Sequence, residues 1–76
     1  MLIATILRSD AGNERVAIEW IQGRLICNGY NLSRNQEPLG RLEAVKTVIE
    51  TYAGGPERLE LTQESQRIAK NLKLQY

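Results

Sequence analysis

The chain opens on a nearly unbroken apolar run, Met-Leu-Ile-Ala-Thr-Ile-Leu, closed by Arg8. Its β-branched content predicts a buried strand, and the Ser, Asp, Gly and Asn gathered between Arg8 and Asn13 predict a turn after it. From Arg15 to Ile21, Val16, Ile18 and Trp20 alternate with Arg15, Ala17 and Glu19. Period two predicts a second strand, antiparallel to the first. A helix fits the same stretch, with Ala17, Ile18, Ile21 and Leu25 on one face, Ser9 or Asp10 as cap and Asn28-Gly29 as stop. The strand is preferred because β-branched and aromatic residues alternate and Gly23 would cost a helix interior ~1 kcal/mol relative to Ala. On that reading Gln22-Gly23 is a tight hairpin turn, and Arg24 to Tyr30 is a third strand.

The polar stretch from Tyr30 to Glu37 has no periodicity and predicts a loop. Beyond it Pro38 stands where a helix can begin, and Leu39, Leu42, Val45, Ile49 and Tyr52 recur at helical spacing on one face. That face is expected to be core, including Leu42. Ala53-Gly54-Gly55-Pro56 then ends the helix. Arg58 to Thr62 alternates as a short strand, with Thr62 placed to cap a second helix that starts at Gln63 and reaches about Asn71. Leu61, Ile68, Ala69 and Leu72 share one side of that segment, and Arg67, Lys70 and Lys73 share another. Leu72, Leu74 and Tyr76 alternate with Lys73 and Gln75, which suits a closing strand of the sheet, with helix as the other reading of the last five residues. The expected fold is α+β: one compact domain over residues 1–76, with an N-terminal antiparallel hairpin or meander, a central amphipathic helix, a short strand, a second helix and the closing strand.

Composition agrees with one small folded domain. The 76 residues are 42% hydrophobic and 25% charged, values of an ordinary globular chain rather than a disordered or disulfide-rich one. Ten basic residues face nine acidic ones, and a net charge of +1 gives no broad field for nucleic acid or membrane. The apolar opening is too short for a membrane span and has no basic residue before it, so it reads as a strand and not as a leader. A single cysteine makes a reducing, cytoplasmic setting the expectation.

Chemistry is limited by what is missing. No histidine occurs, which removes the side chain most used for proton transfer near neutral pH and a common metal ligand. Cys27 lies in the apolar run Leu25-Ile26-Cys27 with no histidine base, and it reads as packing rather than as a nucleophile. Trp20, the one tryptophan, is placed in the core, with an interface anchor as the other reading. Glu57, Glu60 and Glu64 straddle a strand-to-helix boundary and need not converge on a metal. No phosphate loop, paired-cysteine or hydrolase-elbow motif is present, and none of the patterns ties the chain to a family. The expectation is a protein without a catalytic site, cofactor or metal, with a minimal enzyme using Cys27 or a carboxylate as the last alternative.

Two groups of residues remain as candidates for binding. Tyr30, Asn31, Ser33, Arg34 and Asn35 bring one ring and several hydrogen-bonding groups into a short loop suited to a protein partner. Arg67, Lys70 and Lys73 form a cationic stripe after the last acidic residue, Glu64, and are candidate phosphate contacts, with Arg34 or Arg41 beside them. Cations near a helix C-terminus also complement its dipole, so the stripe has a purely structural reading too. The first group points to a cytoplasmic interaction or assembly module, self-associating or acting on a larger complex. The second points to a nucleic-acid accessory protein, which the near-zero net charge disfavours.

Overall fold

The computed structural model describes residues 1–8, 12, 14–32 and 38–74. Five strands and two helices follow one another in the order β1 (Leu2–Arg8), β2 (Glu14–Ile21), β3 (Arg24–Cys27), β4 (Tyr30–Asn31), α1 (Arg41–Tyr52), β5 (Arg58–Leu61) and α2 (Gln63–Asn71). The strands form one antiparallel sheet in the order β4-β3-β2-β1-β5, so the first and last strands of the chain are neighbours. Residues 14–21 are a strand, as their alternation predicts, and the helical reading of this stretch is set aside.

The turns from β2 to β3 and from β3 to β4 are each two residues long and left-handed. Gln22 and Gly23 take φ of 51° and 80°, and Asn28 and Gly29 take 52° and 83°. Positive φ at both central positions is the hairpin geometry whose twist matches the strands it joins. The expected third strand from Arg24 to Tyr30 is therefore two strands, because Asn28-Gly29 reverses the chain and pairs Cys27 with Tyr30. Gly23 is fixed by contact as well as by φ. A Cβ there would stand 2.8 Å from Cβ of Pro38, and its carbonyl accepts from the Leu39 N–H at 2.7 Å.

Alternation sends Ala4, Ile6, Val16, Ile18, Leu25, Cys27 and Leu61 to one face, where they are buried under the helices. A register shift between Leu2 and Ala4 adds an extra residue to β1, which is why Ile3 and Ala4 are both buried although adjacent. α1 supplies Ala44, Val45, Val48 and Ile49 to this core. Leu42, expected in the core, is 54% exposed. Leu42 lies on nearly the same side of the helix as the buried Ile49, seven residues on, but it sits in the first turn, before the buried stretch begins at Ala44. The helix also starts at Arg41 with Gly40 as its N-cap, three residues after Pro38.

α2 occupies residues 63–71 as expected, and Thr62 caps it by accepting the Ser65 N–H at 3.2 Å. The small residues Ser65 and Ala69 are fully buried, so this helix lies close on the core, while Leu72 stays 39% exposed. The closing strand does not form over the described residues. Leu72 is the C-cap of α2, and Lys73 takes φ of 57°, a left-handed step that breaks any extended run. Gln75 and Tyr76 lie outside the described residues.

Candidate interaction surface

Both helices lie on one face of the sheet, so the other face has no cover among the described residues. Its side chains are those of the opposite parity. Thr5 and Leu7 come from β1, Arg15, Ala17, Glu19 and Ile21 from β2, Arg24 and Ile26 from β3, Asn31 from β4, and Arg58 and Glu60 from β5. Leu2 is 43% and Ile21 45% exposed, and Leu7 and Ile26 are half-buried. Across the middle, Arg15 donates to Glu60 at 2.6 Å and to Thr5 Oγ1 at 3.3 Å, crossing three strands. The face is thus apolar in patches, with the Arg15–Glu60 ion pair across its middle.

The two edges of the sheet differ in length. β4 is only Tyr30 and Asn31, while β5 runs for four residues. Along β5 the Thr62 N–H donates to Ile3 O at 3.1 Å, in step with the Leu61 to Ala4 pairing. In an antiparallel ladder consecutive residues turn their N–H and C=O to opposite sides. Glu60 and Arg58 therefore bond to β1, and the backbone groups of Leu59 and Leu61 point away from the sheet. Gln66 Nε2 donates to the Leu61 carbonyl at 3.0 Å and occupies it. Among the described residues, Leu59 is left as the one that offers both a donor and an acceptor along the open edge.

The candidate residues are not drawn into one place. Tyr30, 74% exposed, and Asn31 form the short edge strand, whereas Ser33, Arg34 and Asn35 lie outside the described residues. Arg67 and Lys70 line an open groove of about 550 Å³ with Gln63, Gln66 and Leu74. Lys73 does not share that lining, because its left-handed backbone takes it off the helical repeat. Arg41, a further suggested phosphate contact, is paired with Glu64 at 2.9 Å.

Cys27 is buried, as its apolar surroundings predict. Its sulfur accepts from the Tyr52 hydroxyl at 3.8 Å. Burial, first, and then the Cys27 sulfur push the Tyr52 phenol up to about 12, with Glu57 adding to the shift and Arg8 opposing it. Nε of Arg8 is buried without a hydrogen-bond partner among the described residues. Trp20 is half-buried against the core and donates Nε1–H to the Leu39 carbonyl at 3.0 Å, tying the segment before α1 to the sheet. Among the described residues no three His, Cys, Asp or Glu side chains gather as metal ligands, and no helix is long and apolar enough to cross a membrane. No protein family, curated protein or solved structure matches the chain.

The residues that reasoning from sequence passed over are Arg58, Leu59 and Glu60. Their signal was present as opposite charges flanking an apolar residue in a strand. What it lacked was the topology that makes this strand an edge.

Proposed function

We propose that this chain is a small protein-interaction and assembly module, without catalytic activity of its own, and that its working surface is the sheet. The observation that carries this reading is the outer sheet face, with Leu2 and Ile21 exposed and Leu7 and Ile26 uncovered by any helix, continuous with the open edge of β5. A sheet face on which apolar patches alternate with charged groups suits a flat protein surface, and it offers no walled site for a small substrate. The balanced charge of the chain and the buried, unpaired Cys27 fit a reducing cytoplasmic setting. The rival reading, an accessory protein on nucleic acid, has less support. Only Arg67 and Lys70 share a groove, and Arg41 is already paired.

Capture from native lysate on immobilised protein separates the two. The reading expects a protein, whether other chains or further copies of this one, to be retained by the unaltered protein and lost with Ile21→Glu and Ile26→Glu on the outer face. Retention of nucleic acid instead, lost when Arg67, Lys70 and Lys73 are changed to Ala, would replace this reading with the rival.

A further inference from the structure

We infer that the β5 edge pairs with the β5 edge of a second copy of this chain, antiparallel about a twofold axis at Leu59, joining two sheets into one. The inference rests on the interaction reading above and names both the partner and the register.

The backbone comes first. Leu59 carries its N–H and C=O toward the open edge, as the ladder to β1 requires. Two copies of Leu59 placed opposite each other exchange both bonds and satisfy an edge that would otherwise be an unprotected template for pairing. The opposite edge cannot substitute for it, since β4 has only two residues.

Side chains then select the register. Residues directly opposite in an antiparallel pair point to the same face. With Leu59 on Leu59, each Arg58 stands opposite the partner's Glu60 on the outer face, and each Leu59 meets its copy on the helix side. Both ends of the contact therefore carry an opposite-charge pair. Arg58 makes no ion pair among the described residues, so its charge is available, and Glu60 has a second oxygen beyond the one held by Arg15. A shift that puts Leu59 opposite Leu61 sets Glu60 against Glu60 and also asks for the Leu61 carbonyl that Gln66 occupies. Centring on Leu61 meets the same obstruction, and any one-residue slip sets buried positions against exposed ones. A shift the other way, with Leu59 opposite Glu57, sets Arg58 against Arg58, so one register survives. A contact of four residues per chain lies at the small end of specific interfaces, so the dimer is a weak one.

The test uses the full chain and sedimentation equilibrium from about 1 µM to about 500 µM, a range chosen for small, transient interfaces. The unaltered protein is expected to dimerise within it. Arg58→Glu and Glu60→Arg should each weaken the dimer about tenfold, because two attractive pairs become two repulsive ones. An equimolar mixture of those two single variants restores both pairs in the heterodimer and should recover the association that each lacks alone. The double variant, with its charges exchanged, should recover it as well. Matching far-ultraviolet spectra of all four proteins would show that folding is not the cause.

A mass that stays at the monomer value throughout the range overturns the β5 pairing and leaves the interaction reading to the lysate capture. Self-association that ignores the charge reversals, or is not rescued by mixing, also overturns it while leaving a sheet-mediated contact intact. A monomer that also captures nothing ends both.

Discussion

The two faces of the sheet are made by the same strands and share the same alternation, yet they behave as different materials. On the covered face Ala4, Ile6, Val16, Ile18, Leu25 and Cys27 are buried without interruption. Apolar positions on the open face are interleaved with Arg15, Glu19, Arg58 and Glu60, so no continuous core forms there. An antiparallel sheet tolerates this asymmetry because helices need cover only one side. The difference separates two roles: the covered face holds the fold, and the open face with its free edge is available for contact.

The largest test of that separation compares two isoleucines of β2. Ile18 is fully buried and Ile21 is 45% exposed on the opposite face. Ile18→Ala should destabilise by about 2 to 5 kcal/mol through lost burial and the cavity left behind. Ile21→Ala should stay within about 0.5 kcal/mol of the unaltered chain when measured on the monomer. Chemical denaturation of both variants checks it, and equal losses would mean that the open face is as structural as the covered one.

Much of the fold was legible because period two and period 3.6 are strong signals where burial is one-sided. The strand from Glu14 to Ile21 and the helix from Gln63 with its Thr62 cap follow directly from their residues. Asn28-Gly29 is a strong hairpin signal, but it sits inside an apolar run that reads as one strand, and it was passed over there. Leu42 misled for another reason. Its angular position is that of the buried Ile49, and what exposes it is that the core begins only at Ala44, a limit set by elements far away in sequence. The β5 edge was illegible in principle, since a strand is an edge only by virtue of the order of all the others.

A second test sharpens the comparison at the two turns joining β2, β3 and β4. Gly23 and Gly29 have nearly the same φ, but a Cβ on Gly23 would press on Pro38 whereas nothing lies within 4 Å of one on Gly29. Gly29→Ala should therefore cost about 1 to 2 kcal/mol, the strain of a left-handed residue alone. Gly23→Ala should cost about 2 to 4 kcal/mol, as strain and overpacking against the segment leading into α1 combine. Melting curves of the pair decide it. Equal costs would show that the Pro38 contact yields freely and that the segment before α1 is not fixed to the sheet.

The covered face also carries a pH signature. The Tyr52 phenol, raised from 10.0 to about 12, is favoured in its neutral form by burial and by Cys27. A folded pKa above the unfolded one means that this contribution is fully present below pH 10 and is lost as pH rises through about 12. Ultraviolet titration should show a late phenolate that Tyr52→Phe removes, and that variant should lose less stability than the parent between those values. A Tyr52 phenol ionising at 10 would show that the helix does not shelter it.

The smallest effect belongs to the open face. Arg15 and Glu60 bridge β2 and β5 over Thr5, but their side chains are 50% and 48% exposed, so water and salt screen the attraction. A double-mutant cycle with Arg15→Ala and Glu60→Ala should give a coupling of about 0.2 to 1 kcal/mol in the monomer, falling toward zero in about 1 M salt. The pair matters more as an organiser. By holding one oxygen of Glu60 it fixes the carboxylate on the outer face, where Arg58 of a second chain would meet it. A coupling well above 1 kcal/mol, insensitive to salt, would mean that the pair is shielded from water and that this face is covered in the folded protein after all.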